Sequence, residues 1–280
     1  MSFLVLLLAL WIEKFSALRH QVQRDGFFLG ELVRLERSGK VHPGWTLAVL
    51  VLAPVALLVL LLHVLDPVAY GLLALPVHLL VLIYSLGRGD AKGSLGPFRD
   101  AWRRGDDQAA LHVAERDLGL AADEPHSLLV RVQGYLLWQA YQSFFAVIFW
   151  YFVLGPGAAL AYRLLALTGE HSRQPALKAR AEQLRHIMDW LPVRVLTLSF
   201  ALVGNFVAVM RVMLHELLNW HISAGHLVAR VGRIADDVAD DNPREQDPQR
   251  GLGRLDSLWD LLLRCAVLWY AGFALWTVLV

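Results

Sequence analysis

The chain of 280 residues contains a single cysteine, Cys265. One thiol excludes an intramolecular disulfide and any cysteine-based metal cluster. Charge is scarce as well. Asp, Glu, Lys and Arg make up 18% of the sequence, against about 25% in soluble globular proteins. Acids and bases nearly cancel, to a formal net charge of +1, so bulk charge gives no case for nucleic acid as a partner. The usual catalytic and cofactor motifs are missing. Glycines are scattered from Gly87 to Gly96, yet G-x-x-x-x-G-K-[ST] is absent. No nucleophile elbow surrounds Ser143, Ser199, Ser223 or Cys265, which argues against a hydrolase. A metalloprotease helix needs two His four residues apart. In HELLNWHISAGH the residue four after His215 is Asn219, so His215, His221 and His226 read as interfacial histidines. No metal and no cofactor is expected. The opening MSFLVLLLALWIEKF has neither the positive start nor the small-residue cleavage site of a signal peptide. It is expected to persist as a half-length or interfacial helix, with an uncleaved signal-anchor as the alternative.

What the chain has in quantity is apolar sequence. Hydrophobic residues reach 56%, mean hydropathy is +0.46, and ten tryptophans suit the interfacial belts of a membrane protein. The expected fold is all-α: a polytopic integral membrane helix bundle, with broken or re-entrant helices and amphipathic cytoplasmic helices. One membrane domain covers 1–280. Full spans are expected at 45–65, 67–86, 136–154 (to 167 if unbroken) and 259–280. Half-length or re-entrant segments are expected at 1–12, 157–168 and 195–218, and polar segments at 13–43, 87–133, 169–194 and 222–257. Pro54 should kink the first full span, and Asp66-Pro67 should turn the chain into the second, which carries His78. Asp106 and Gly119 have the residue types of an N-cap and a C-cap. Leu177, Ala181, Leu184 and Met188 recur at helical spacing. Leu227, Val231, Ile234 and Val238 mark an amphipathic helix over 222–241. Residues 242–253 are rich in turn residues and read as flexible. Basic residues place 13–43, 87–133 and 168–194 in the cytoplasm, with a hairpin folding back at Gly155-Pro156-Gly157.

The run from Phe144 to Arg163, FFAVIFWYFVLGPGAALAYR, is the most informative. A membrane-grade helix breaks at Gly155, Pro156 and Gly157, then resumes as a small-residue helix ending on Tyr162 and Arg163. Such breaks are tolerated at membrane depth where protein or water satisfies the freed backbone. Arg194 stands at the start of a further apolar run, after Asp189, Trp190, Leu191, Pro192 and Val193, which read as a turn. These two arginines either snorkel or line an internal cavity. Asp189 is the candidate partner of either, with Glu13 and Asp260 as further possibilities. Gly155, Pro156, Gly157, Tyr162, Arg163, Asp189, Trp190, Pro192 and Arg194 are therefore the candidate ligand-binding or structural-core residues.

Two segments carry a family resemblance. GPGAALAYR at 155–163, with Ile148-Phe149-Trp150 before it, and DWLPVR at 189–194 resemble the AmpE family, a branch of the CobD/CbiB membrane family of cobalamin-precursor synthases. The synthases carry E, N and D where this chain has Trp138, Gln139 and Gln142. They have N-T-L-D at Ala166 to Gly169, an acidic pair at Arg185-His186, and D-P-x-x-H-P near their start, where this chain reads EKFSALRHQV. A ligase using a nucleotide triphosphate and Mg²⁺ needs such carboxylates.

The resemblance thus implies a non-enzymatic inner-membrane regulatory or sensor protein linked to β-lactamase induction and cell-wall recycling signals. The partners it implies are membrane lipids, an anionic or cell-wall-derived small molecule, and another membrane protein. A rearranged synthase of the CobD/CbiB type and a small transporter or lipid-binding protein are the alternatives.

Overall fold

A computed structural model describes residues 4–9, 25–38, 42–67, 73–87, 93–120, 125–236 and 248–279. These residues are almost wholly helical, with no strand among them. Residues 4–9 are helical. Then follow α1 (Gly26–Ser38), α2 (Pro43–Leu65), α3 (Ala74–Ser85), α4 (Gly96–Arg103), α5 (Asp107–Leu118), α6 (Pro125–Ala140), α7 (Ala146–Leu154), α8 (Pro156–His171), α9 (Pro175–Val203), α10 (Phe206–Glu216), α11 (Ala224–Ala235) and α12 (Pro248–Leu279). A π-helical turn, Tyr141–Phe145, joins α6 to α7.

Four helical stretches are long and apolar enough to cross a membrane: Pro43–Leu65, Ser127–Leu154, Pro175–Val203 and Gly251–Leu279. With the apolar exterior of α2 (Trp45, Leu52, Leu57, Leu60 and Val64 all exposed), this is an all-α membrane helix bundle. The chain divides into two compact units: residues 1–88, 146–189 and 276–280, and residues 89–145 and 190–275.

The first unit is organised around α8. Gly155 sits at φ 84° and ψ −172°, a region open to glycine and costly for other residues. Its N–H still closes α7 by donating to the Tyr151 carbonyl at 2.9 Å. Pro156 then starts α8 at the position where its missing N–H is not needed. Most of α8 is buried, from Pro156 to Gly169. Its small residues permit close approach: a Cβ on Gly157 would lie 3.4 Å from Val55 and 3.5 Å from Val59 on α2. Leu160, Leu164, Leu165 and Leu167 form one core with Leu47, Leu50, Val51 and Leu58 of α2, Phe28 and Leu32 of α1, and Leu177 and Ala181 of α9.

In the second unit α6 and α11 cross closely. A Cβ at Gly134 would meet Ala229 at 3.3 Å, one at Gly225 would meet Trp138 at 3.4 Å, and one at Gly232 would meet Leu137 at 2.8 Å. The caps of α5 are those its residue types predict. Asp106 accepts from the Ala109 N–H at 2.9 Å, and Gly119 adopts the left-handed conformation at φ 66°.

Two expectations are corrected, at DWLPVR and at 248–253. The DWLPVR segment is no turn: α9 runs through it as one helix of 29 residues, with Pro192 inside. Proline removes only one backbone donor, and Trp190, Val193 and Arg194 hold the helix through side-chain packing and hydrogen bonds. Within the segment 195–218, expected to be half-length or re-entrant, α9 ends at Val203 and Gly204-Asn205 separates it from α10. A Cβ at Gly204 would lie 2.6 Å from the Ala235 carbonyl oxygen, and the Asn205 N–H donates to that same oxygen at 2.9 Å. Residues 248–253, read as flexible, begin α12. Residues 237–247 lie outside the described residues, as do Glu13 and most of 1–24.

Candidate functional site

The candidate residues divide between the two units, and each set is built differently. Gly155, Pro156, Gly157, Tyr162, Arg163 and Asp189 belong to the first. There the break at Gly155 starts α8 in a register that buries Tyr162, at 1% exposure, and directs the neighbouring Arg163 toward α1. The Tyr162 hydroxyl donates to Asp189 Oδ1 at 2.8 Å. Arg185, one turn earlier on α9, holds Asp189 Oδ2 at 3.8 Å. Arg163 pairs with Asp25 at 3.6 Å, and both side chains are largely buried. Among the described residues the carboxylate that pairs with Arg163 is Asp25, at the start of α1, 138 positions away, while Glu13 lies outside the described residues. The Arg163 Nε is buried without a hydrogen-bond partner among the described residues. Near the same core, His78 Nδ1 lies 2.9 Å from the Tyr151 hydroxyl. Glu36 of α1 accepts from the Ser172 hydroxyl at 2.7 Å and the Arg173 N–H at 3.0 Å.

Trp190, Pro192 and Arg194 belong to the second unit. Arg194 is 5% exposed, and all three of its nitrogens donate to backbone carbonyls. Nη1 reaches Trp190 at 2.7 Å, Nη2 reaches Asn219 at 2.8 Å, and Nε donates to Leu217. Leu217 and Asn219 follow the last turn of α10, where carbonyls have no helical acceptor role filled. The guanidinium also covers the Trp190 ring, 4.2 Å from its centroid, and Trp190 packs on Trp220 at 6.0 Å. This arginine acts as a helix C-cap and a cation–π partner together.

Chemically, these arrangements order helices. Among the described residues no group of three or more His, Cys, Asp and Glu is placed to hold a metal. Gln142 Nε2 donates to Gln139 Oε1 at 2.8 Å. Sequence reasoning missed Asp25 and the carbonyls of residues 217 and 219. No local signal marks either, since both depend on chain-distant packing.

A family model described as "Regulatory signalling modulator protein AmpE" matches residues 1–247. "Protein AmpE" of Shigella flexneri is similar at 24% identity over 188 residues, covering 63% of this chain and 66% of that protein. The match therefore spans just under two thirds of that relative's length. No solved structure matches the chain.

Proposed function

This chain belongs to the AmpE family, and on that premise we propose that it is a non-enzymatic regulator in the bacterial inner membrane, crossing it several times and acting in the control of β-lactamase induction. The observation that supports the reading is the state of the polar positions where the related synthases hold metal and nucleotide. Gln142 Nε2 donates to Gln139 Oε1, and neither amide brings negative charge to a divalent cation, which takes carboxylate oxygens by preference. Arg185 stands where the synthases are expected to carry an acid, and it pairs with Asp189 within its own unit. Gly155, Pro156, Gly157, Tyr162, Arg163, Asp189, Trp190, Pro192 and Arg194 then serve as the framework that a signal acts on. An anionic, cell-wall-derived molecule is the effector this reading implies, and another membrane protein is its receiver.

The test is genetic and enzymatic. Deleting the chain from its bacterium should change β-lactamase induction by a β-lactam, and the wild-type chain should restore it. Unchanged induction on deletion removes the β-lactamase link. ATP hydrolysis by the purified protein with a cobyric acid derivative and aminopropanol phosphate replaces the regulator by a synthase.

A further inference from the structure

The helix α10 has an outward face with an unusual composition. Val209 and Met213 are buried, so the opposite side of α10 faces away from the unit. At helical spacing that side carries Val207 (67% exposed), Arg211, Leu214 (71%) and His215, continued by Leu218 (82%). Arg211 lies between Val207 and Leu214, four residues after one and three before the other. No acid shares this face: Glu216 turns inward to Arg230 at 3.2 Å and to Asn219 at 2.9 Å. An exposed leucine-rich face suits hydrocarbon, while an exposed arginine within it does not. An arginine at the centre of a bilayer costs roughly 2.5–3.5 kcal/mol even on the lower scales.

Length and neighbours resolve the conflict. Eleven residues at 1.5 Å each give α10 about 16 Å, roughly half of a hydrocarbon core. The residue before the Gly204-Asn205 break is Val203, and its carbonyl accepts from Arg264 Nη1 at 2.9 Å. Arg264 and Asp260 are exposed, and from Cys265 onward α12 carries no further charge, with Val267 at 69% exposure and Leu275 at 62%. On α12 the surface changes from charged at Asp260 and Arg264 to apolar at Val267 and Leu275, and Val203, at the start of the α10 connection, is held at the level of Arg264.

We infer that α10 lies along the membrane–water boundary and docks on phospholipid, with Val207, Leu214 and Leu218 in the acyl region and Arg211 on a lipid phosphate. The ligand is an anionic phospholipid. Its phosphate complements the Arg211 guanidinium, as polybasic and amphipathic interfacial segments complement acidic lipid. His215, one turn after Arg211, has its Nδ1 3.0 Å from the Arg211 carbonyl oxygen. The proposal is independent of the regulatory role.

The test uses the full chain with Cys265→Ser, reconstituted in nanodiscs of phosphatidylcholine alone or of equal parts phosphatidylcholine and phosphatidylglycerol. Spin labels are placed singly through Val207→Cys, Leu214→Cys and Leu218→Cys. Depth is read from oxygen against nickel-chelate collision rates. All three labels should report one depth near the headgroup–acyl boundary. A monotonic gradient from 207 to 218, spanning about 16 Å at helical rise, would mean that the helix inserts along the normal and overturns the proposal. Three water-exposed labels would assign the face to a protein partner and also overturn it. In native mass spectrometry, Arg211→Gln should reduce retained phosphatidylglycerol several-fold relative to the parent while leaving the unfolding midpoint in neutral detergent unchanged. Equal retention by parent and variant would remove the phosphate contact.

Discussion

The two units solve one problem, a buried arginine, in different ways. In the unit built on α8, Arg163 answers a carboxylate, Asp25, and the adjacent Tyr162 answers another, Asp189. In the other, Arg194 answers three backbone carbonyls and the face of Trp190. The first arrangement joins formal charges and depends on both members of each pair. The second sets a charge against neutral carbonyls and a ring, and depends on the fork shape of the guanidinium. A buried pair is damaged most by removing one member, because the other charge is left behind. A carbonyl cap is damaged by any loss of the fork, charge retained or not.

The comparison can be broken at its strongest point first. Arg163→Met should destabilise the protein by about 3–5 kcal/mol, because the buried Asp25 carboxylate loses the Arg163 charge. The double variant with Asp25→Asn should recover much of that loss. Thermal unfolding in detergent reads both, and a double variant no better than the single would show that the pair is not the cause. Arg194→Lys should cost roughly 2–3 kcal/mol despite keeping its charge, since one ammonium cannot replace three directed donors to carbonyls. No change of a nearby acid should rescue it; rescue by any would place Arg194 in the same class as Arg163.

The smallest effect sharpens the contrast between buried and surface charge. On α5, Arg116 donates to Asp117 at 2.6 Å and 2.9 Å. This hydrogen bond, and then the charge of Arg116, hold the Asp117 carboxyl below its ordinary value. The pair's stabilisation is therefore present above the unfolded carboxylate pKa and is lost as pH falls through the lower folded one. Being exposed, it should weaken with salt. Carbon-detected titration of Asp117 should move toward the ordinary range in Arg116→Gln, and an unmoved titration would detach the shift from Arg116.

Much of the first unit's scaffold was legible before any coordinates. Gly155-Pro156-Gly157 carried its own signal, since proline favours a helix start and glycine admits the backbone it needs. Asp106 and Gly119 were legible for the same local reason. The DWLPVR segment misled because proline reads as a breaker, yet a long helix tolerates one lost donor when its flanks are packed. Residues 248–253 misled because their polar, turn-rich composition was weighed without the long helix that continues from them.

Sequence alone determined the helical class, the membrane-grade runs and the break before α8. Each follows from composition or from interactions within a few residues. Only the tertiary structure decided that Arg163 meets Asp25, that Arg194 caps the end of α10, and that Arg211 faces outward between leucine and valine. Those outcomes depend on which helix faces are buried against which, and that choice is made by packing between segments far apart in the chain.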